Sequence, residues 1–438
     1  MQKYKKKMIQ QDYSIFFCTF AFMKAKILLY ALSVLALFSC HQKYEHKTVV
    51  CIPVYGQSLA LGEDAILITD FDSLAKYAEG RIVTENLDHQ FGYFDNNDIK
   101  ELAKKITHYQ KRSFELTVYS MAKLLADSLG EDTLICIFPG GQGATAIKDL
   151  SIGTKPYQKF IEKIETAYNY ARERDWDFFV PAICWMQGES DIEDYPGTNY
   201  KQLLKRYQAD INKDVKSITH QTNDVKIISY QTNNVSGGNR FKQDSFNCIE
   251  SQVPQSQLEL VRDDSLFWPS SPTYFYDFVR ERIHIDGYSQ QLHGNLVALT
   301  ALNIIRKQKK PIGLLPIDMN YHEREIIIKF HVPYPPLTWD TLHVTPPSHY
   351  GFSVITPGNK DIVQTVSIQN DCIHIHCSEQ PKDCRVRYAV NGEKMKSGRL
   401  HGPRGNLRDS QGEIRKAIVI GKTYPLHNWC WQFDIPVH

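Results

Sequence analysis

Short apolar runs alternate with amphipathic helical patterns from residue 47 to about residue 308, and this alternation constrains the fold of the 438-residue chain most. Short apolar strands connected by helices predict a parallel sheet that is covered on both faces. In such folds, functional groups gather where the strands end. The apolar runs are Thr48–Val54, Thr133–Phe138, Phe178–Trp185, Val225–Tyr230 and, more weakly, Leu266–Trp268. The helical patterns are Phe114–Leu129, Tyr157–Arg174, Tyr200–Thr219, Asn247–Val261 and Ser289–Arg306.

The helical period disappears after a linker rich in Lys and Pro, Lys309–Pro316. Strand-like runs separated by turns then predict a second domain, a small all-β sandwich. We expect the first domain to span residues 41–310 and the β domain residues 311–438. The stretch Glu63–Arg112 is interpreted as an insertion that frames a pocket, with a polar loop at Gly92–Asp98. The predicted strands of the β domain are Glu325–Val332, Thr341–Val344, Val363–Ile368, Cys372–His376, Arg385–Val390 and Trp429–Ile435.

The N-terminus carries the pattern of a secretory signal. Met23-Lys24-Ala25-Lys26 precedes the apolar stretch Ile27–Phe38, and Ser39-Cys40 follows. A basic start, an apolar core and a small residue before the cut are typical of such signals. Leu37-Phe38-Ser39-Cys40 resembles a bacterial lipobox, so we expect residues 1–40 to be a leader, translation to start at Met23, and Cys40 to carry a lipid. The alternative is one uncleaved anchor beginning near Ile15, which two lysines interrupt.

Composition excludes some functions and leaves others open. A formal net charge of +2, without a basic stripe, gives no reason to expect nucleic acid as a partner. Cys372, His374 and His376 share one strand face, yet no second ligand cluster follows, so we predict no metal. Cys377 and Cys384 flank a turn, where a disulfide remains open. Three further cysteines lie in strand runs and are interpreted as core residues: Cys51, Cys136 and Cys184.

Two segments that follow strand runs can supply a nucleophile and hydrogen-bond donors. Gly56-Gln57-Ser58-Leu59-Ala60-Leu61-Gly62 comes directly after the first run. A serine there has a free hydroxyl and an outward backbone N–H, which suits a nucleophile with one oxyanion donor. Phe138–Ile147 is Gly-rich and can present backbone N–H groups to an anion. It lacks the Gly-Lys-Ser/Thr ending of a phosphate-binding loop.

Two more segments add a side-chain amide and an imidazole. Trp185-Met186-Gln187-Gly188-Glu189-Ser190-Asp191 places the Gln187 amide where it can donate to an oxyanion. Glu189 and Asp191 are better explained by structural roles in the loop. Before the last helix, His284 can act as a general base, and Glu281, three residues earlier, can orient its imidazole.

Together the four segments resemble an SGNH-type hydrolase and, more narrowly, the sialate O-acetylesterase-like carbohydrate esterases, over about residues 47–308. The resemblance implies a flavodoxin-like three-layer α/β/α fold and deacetylation of sugars without metal or cofactor. It makes Ser58 the nucleophile and His284 the base. It also implies an oxyanion hole formed by the N–H groups of Ser58 and Gly143 and the side chain of Gln187.

The chain departs from the family pattern at two places. The usual Asp three residues before the His is Glu281 here, so either Glu281 orients His284 or a backbone carbonyl does so and leaves a dyad. Asp286 and His293 do not match the spacing, and His293 is expected at a helix surface. The Gly-rich turn is offset, which leaves Gly141 as the alternative to Gly143.

The sequence therefore predicts an exported serine esterase that removes O-acetyl groups from glycans, either sialic acids or plant polysaccharides. We expect it to be a periplasmic or outer-membrane lipoprotein. An SGNH lipase or thioesterase is the second hypothesis, and a glycan-binding lipoprotein on an esterase scaffold is the third. The polar loop His401–Ser410 either folds back over the active site or packs against the first domain.

Overall fold

The predicted apolar runs form a parallel sheet at the centre of the protein. A computed structural model describes residues 46–71, 73–74, 80–85, 90–93, 114–194, 199–232 and 252–437. The strands of this sheet, in chain order, are β1 (Thr48–Cys51), β2 (Val54–Gly56), β3 (Ile82–Glu85), β4 (Phe91–Tyr93), β5 (Thr133–Ile137), β6 (Pro139–Gly141), β7 (Asp177–Phe179), β8 (Ala182–Met186), β9 (Lys226–Gln231) and β10 (Phe267–Pro272).

The first predicted strand occupies the middle of the sheet as two halves, β1 and β2. The bonds from Ile52 N to Cys136 O, 2.9 Å, and from Val54 N to Phe138 O, 3.0 Å, continue the ladder across the break between them. The strands β5 and β6 lie on one side of it and β7 and β8 on the other, followed by β9 and β10. These neighbours are all parallel, and β3 pairs parallel with β5 on its outer side. Among the described strands of this sheet, only β4 is antiparallel, next to β3 at the edge. This is the flavodoxin-like strand order, so the predicted fold class is confirmed.

The helices cover the sheet in two groups. The first and last helices, α1 and α6, pack against each other, whereas α4 packs against both α2 and α5. Gly294 lets α6 approach α1 closely, because a Cβ there would lie 2.3 Å from the carbonyl oxygen of Thr117. The bounds are α1 (Thr117–Ser128), α2 (Lys155–Arg172), α3 (Glu189–Asp194), α4 (Tyr200–Thr219), α5 (Val253–Asp263) and α6 (Gly287–Ile305).

The residues after the α/β region form mainly β structure, as predicted. A four-stranded sheet of order β11-β12-β16-β15 packs on a three-stranded sheet of order β14-β17-β21. Phe330 and Phe433 meet between them, with ring centroids 6.3 Å apart. The elements are β11 (Leu315–His322), β12 (Glu325–His331), β13 (Thr338–Trp339), β14 (Phe352–Ile355), β15 (Val363–Gln369), β16 (Cys372–Cys377), β17 (Arg385–Tyr388), β18 (Leu407–Arg408), α7 (Gln411–Ile414), β19 (Lys416–Val419), β20 (Lys422–Pro425) and β21 (Phe433–Pro436).

The predicted strand Thr341–Val344 is wrong. One oxygen of the Asp340 carboxylate accepts hydrogen bonds from the backbone N–H groups of Leu342, His343 and Val344, at 3.2, 2.6 and 2.9 Å. Three successive N–H groups that turn toward one carboxylate cannot pair in a β-ladder. The segment therefore forms bends. A second difference concerns the predicted linker Lys309–Pro316, whose last two residues begin β11.

The β region packs tightly on the α/β region, and Lys47–His438 forms one compact unit. At the end of β9, the Gln231 amide bonds to both the N–H and the C=O of Gln432, at 2.7 and 2.8 Å. The boundary near residue 310 stays a prediction, and the proposed leader lies outside the described residues. No helix in the described part of the chain has the length and apolar character that a membrane crossing requires. Cys377 and Cys384 are both buried and are not joined by a disulfide.

His293 is fully buried within α6, so its predicted surface position is wrong. Its Nδ1 lies 3.0 Å from the hydroxyl oxygen of Tyr276, and its Nε2 has no hydrogen-bond partner among the residues that the structure describes. The helix is buried between α1 and the sheet, which the amino-acid pattern of α6 does not reveal. Burial lowers the pKa of His293 to about 3, because a charged imidazole would lose its hydration.

We expect this buried imidazole to make the fold acid-labile. Its pKa is lower in the folded state than in the unfolded chain, so the unfolded state takes up a proton first as the pH falls. The free energy of unfolding should therefore drop by about 1.4 kcal/mol per pH unit below about pH 6.5, until the pH nears the folded pKa. Denaturant titrations at pH 6.5 and 4.5 should show a smaller loss for His293→Gln than for the wild type.

Comparing His293→Gln with the wild type isolates the contribution of His293 to the pH dependence of stability. Burial raises the pKa values of Glu115 and Glu189, and these groups act on the pH dependence in the opposite direction. The exposed imidazole of His376 provides the control variant His376→Gln, which should leave the pH dependence as in the wild type. Equal losses for wild type and His293→Gln would contradict the prediction.

Candidate active site

The first functional side chain, Ser58, lies directly after the central strand. β2 ends at Gly56, Gln57 is extended, and Ser58 begins a 3₁₀ turn that closes at Gly62, whose φ is +67°. Neighbouring β6 approaches very closely, since a Cβ on Gly141 would lie 1.8 Å from the carbonyl oxygen of Gly56. Gly141 also has a φ of +118°, which favours glycine. The Gly-rich turn therefore packs directly beside the serine.

Ser58 and His284 are joined by a hydrogen bond. His284 Nε2 lies 2.8 Å from Ser58 Oγ, although 226 residues separate the two along the chain. Ser58 is only 3% exposed, so the nearly buried serine contacts solvent over a small part of its surface. The two predicted residues therefore meet at the carboxyl end of the sheet, which is the geometry of a nucleophile and its general base.

The other nitrogen of the imidazole contacts Asp64, which the sequence did not suggest. His284 Nδ1 lies 2.7 Å from Asp64 Oδ2. Asp64 has a φ of +63° and follows the turn that carries Ser58, with Glu63 N donating to Ser58 O. With the proton of the imidazole on Nδ1, Asp64 accepts it and Nε2 is free to accept the Ser58 proton. The order of groups is serine, imidazole, carboxylate.

Glu281, predicted to orient His284, makes no hydrogen bond or ion pair with it. Its carboxylate instead lies 2.9 Å from His401 Nδ1 and 3.1 Å from Lys396 Nζ. Desolvation opposes ionisation of Glu281, but the bonds from His401 and Lys396 outweigh it and lower its pKa. Arg280 and Glu281 both have a φ of +54°, and this left-handed turn brings the carboxylate to the β region. Asp286, the other acid considered, caps α6 by accepting from Ser289 N.

A second carboxylate, that of Glu63, lies at the entrance to the site. Its Oε2 is 3.8 Å from His284 Nε2 and would be 3.1 Å from a Cβ on Gly143. The side chain is 44% exposed and therefore faces solvent. Glu63 thus lies between the imidazole and the Gly-rich turn, and no sequence pattern indicated it beyond its proximity to Ser58.

The three predicted oxyanion donors differ in whether their N–H groups are already hydrogen-bonded. Ser58 is the first residue of its turn, so its N–H has no partner within the helix. The N–H of Gly143 also has no hydrogen-bond partner among the described residues. Gln187 is fully buried, however, and its Nε2 donates to Thr145 O at 3.3 Å and to Asp191 Oδ2. Both amide hydrogens of Gln187 are therefore already used, which does not support its predicted role as a donor.

Buried acids behind the serine hold the strand ends together. The Glu189 carboxylate accepts from the Tyr230 hydroxyl at 2.8 Å, and Asp191 accepts from Ile147 N at 2.9 Å. Desolvation raises the pKa values of both acids. These contacts are the structural roles that the sequence analysis favoured for the two residues.

No group of three or more His, Cys, Asp or Glu side chains with the arrangement of a metal site occurs in the part of the chain that the structure describes. In β16, His374 Nδ1 lies 2.9 Å from Glu325 Oε1, so this imidazole already has a protein partner.

A parallel α/β/α sheet with these groups at its carboxyl edge defines an SGNH-type hydrolase fold. Residues 92–267 match the family model SASA, the carbohydrate esterase family of sialic acid-specific acetylesterases. The resemblance predicted from the four segments is thereby confirmed over this stretch of the chain.

Two individual proteins illustrate the similarity. A probable carbohydrate esterase of Arabidopsis thaliana is 29% identical over 87 residues, which is 19% of this chain and 31% of that relative. The chain therefore matches less than a third of the length of this curated relative. A crystal structure of a carbohydrate acetylesterase from Xanthomonas citri has a TM-score of 0.57 at 14% identity and covers 88% of this chain and 80% of its own. At that identity the likeness shows a shared fold, which extends beyond the α/β region.

Proposed function

We propose that the protein is a serine O-acetylesterase that removes acetyl groups from carbohydrates. The observation that carries the proposal is the bonded series Ser58–His284–Asp64, with distances of 2.8 and 2.7 Å. The match of residues 92–267 to the SASA family model supports an acetylated sugar as the substrate class. Sialic acids and plant polysaccharides are the two kinds of acetylated glycan that we propose to test.

The geometry supports a two-step acyl transfer. Ser58 Oγ attacks the acetyl carbonyl carbon while its proton passes to His284 Nε2, and the Asp64 carboxylate stabilises the resulting imidazolium. The N–H groups of Ser58 and Gly143 stabilise the tetrahedral oxyanion. The sugar hydroxyl leaves with the proton from His284. A water molecule then loses its proton to His284 and attacks the acetyl-enzyme, which frees acetate and restores Ser58.

The position of Glu63 supports a short acyl group. A long apolar chain that entered beside Ser58 and His284 would displace water from the Glu63 carboxylate. Removing water from a charged group without a compensating partner is costly. This argues against the lipase and thioesterase alternative and favours acetyl esters of polar alcohols.

We also propose that the enzyme is exported and tethered by a lipid on Cys40, as the leader pattern of residues 1–40 suggests. The protein would then be a periplasmic or outer-membrane lipoprotein. Fractionation of cells that produce the full chain should find it with membranes, and Cys40→Ser should release it. Equal membrane association of both forms would contradict lipidation.

The function is tested by measuring acetate release from acetylated sialic acids, acetylated xylan and acetylated pectin. A parallel series of aryl esters from acetate to octanoate measures acyl preference. We expect acetate release from at least one glycan and a fall in rate of about tenfold or more from acetate to butyrate. If the protein binds these glycans but releases no acetate from them, the binding-protein alternative is favoured. A preference for aryl esters of long acyl chains would favour a lipase.

A further inference from the structure

A segment of the β region, Lys396–His401, lies along the loop that carries His284. We call Lys396–His401 the strap and Tyr276–Asp286 the base loop. Arg399 N donates to Tyr276 O at 3.1 Å at the start of the base loop, and Ser397 N donates to Glu281 O at 2.9 Å at its tip. The Arg399 guanidinium also lies 2.7 Å from Asp277 Oδ1. The strap thus contacts the base loop at both its start and its tip.

The contact is so close that one strap position needs glycine. A Cβ on Gly398 would lie 2.7 Å from both Tyr276 O and the ring of Phe278. Gly398 also has a φ of +85°, a conformation that side chains rarely adopt. Two close approaches and a left-handed backbone at one residue indicate a tightly fitted interface rather than incidental packing.

The base loop itself has an unfavourable conformation at its tip. Arg280 and Glu281 are consecutive non-glycine residues in the left-handed region. Such residues persist only where their surroundings hold them. His284 belongs to the same loop, because its carbonyl oxygen accepts from Val279 N at 2.7 Å. Whatever holds the tip therefore also holds the backbone of His284.

The strap supplies what holds the tip. Besides the bond from Ser397 N to Glu281 O, the Glu281 carboxylate is 2.9 Å from His401 Nδ1 and 3.1 Å from Lys396 Nζ. The Glu281 side chain is only 24% exposed, so both contacts are partly shielded from water, and the contact with Lys396 is an ion pair. Bonds between charged groups are the stronger kind of hydrogen bond.

We propose that Glu281, His401 and Lys396 form a latch through which the β region positions His284 for proton transfer. The inference rests on the proposed esterase function and deepens it. Glu281, His401 and Lys396 are positioning residues, because they contact the base loop and not the reacting atoms. The β region then serves as part of the catalytic apparatus rather than as a separate glycan-binding module.

The test uses full-length His401→Ala and its conservative partner His401→Gln. Misplacement of a catalytic group by about 1 Å can cost about 10²-fold in rate. We expect His401→Ala to lower kcat on an aryl acetate about 10- to 100-fold, with KM changed less than about twofold. His401→Gln keeps an N–H donor for Glu281 and should recover most of the loss.

A matched control removes the same kind of pair elsewhere in the β region. His374→Ala breaks the His374–Glu325 contact of 2.9 Å, which lies in the four-stranded sheet. We expect this variant to keep the wild-type kcat. Both alanine variants are assayed well below their measured melting temperatures, so that a simple loss of fold does not enter the rates.

A second readout does not depend on turnover. Proton NMR follows the resonance of the His284 Nδ1–H that donates to Asp64, which should shift or broaden in His401→Ala and stay unchanged in His374→Ala. If the wild type is active and His401→Ala keeps both its kcat and this resonance, the latch is wrong and the esterase proposal stands. An inactive wild type would overturn the esterase proposal, and the resonance alone would then decide whether the latch holds His284.

Discussion

Replacing Asp64 by asparagine is expected to lower kcat by about 10³- to 10⁴-fold with little change in KM. Asp64 accepts a hydrogen bond from His284 Nδ1 at 2.7 Å. An asparagine that turned its amide N–H toward Nδ1 would favour the imidazole tautomer with its proton on Nε2, which cannot accept the proton of Ser58. In serine hydrolases the same change costs about 10⁴-fold. The measurement is kcat and KM on an aryl acetate, with circular dichroism to verify folding.

The matched variant Glu281→Gln separates the two candidate acids. In the wild type the Glu281 carboxylate contacts His401 and Lys396 and not His284. Glu281→Gln should therefore lower kcat by less than about 100-fold, which is the range for misplacement of a catalytic group. A larger loss for Glu281→Gln than for Asp64→Asn would restore the acid predicted from the sequence. Similar small losses for both would indicate a serine–histidine dyad.

Replacing Ser58 by alanine should abolish turnover, with a loss of about 10⁵- to 10⁶-fold in kcat. The Oγ of Ser58 bonds to His284 Nε2, and its removal leaves no hydroxyl for the acetyl-enzyme. Rapid-mixing experiments with an aryl acetate should show a burst of product for the wild type and none for the variant. Mass spectrometry should find an acetyl adduct on the wild type alone.

The control for this variant is Ser265→Ala, because Ser265 is exposed and lies outside the segments that carry Ser58, Asp64 and His284. It should retain wild-type turnover and the wild-type burst. Substantial activity in Ser58→Ala would place the nucleophile elsewhere and overturn the two-step mechanism. Unchanged circular dichroism is expected for both variants.

The sequence predicted the sheet and the serine–histidine pair because both depend on local patterns. Short apolar runs mark strands, and the ends of parallel strands meet at one edge. Ser58 lies at such an edge, directly after β2, and His284 lies just before the last helix of the α/β region. Their meeting therefore follows from topology, although 226 residues separate them.

The acid could not be predicted, because its choice depends on backbone turns and distant partners. Asp64 reaches His284 only through a left-handed residue in a segment interpreted as part of an insertion. Glu281 has the expected spacing, but its partner His401 lies 120 residues further along the chain. No local pattern reveals that such a contact removes Glu281 from the imidazole.

The oxyanion donors show a related limit. Gln187 lies where a donor is expected, yet Thr145 and Asp191 use both of its amide hydrogens. A sequence identifies which groups are able to donate a hydrogen bond, but it does not reveal which of them already donate to another group of the protein. His293 illustrates the same point for burial, since an imidazole in a helix pattern gives no sign of which face is covered.

The short spacing between Ser58 and Asp64 has a consequence for biosynthesis. Two members of the proposed catalytic series, Ser58 and Asp64, are made almost together, and the third, His284, is made much later. If the latch holds His284, the ribosome must also release residues up to His401 before that loop is secured. A nascent chain would then work far below its full rate until the strap has been made, and a fragment that stops before the strap would hold every proposed reacting group yet turn over its substrate about 10- to 100-fold more slowly.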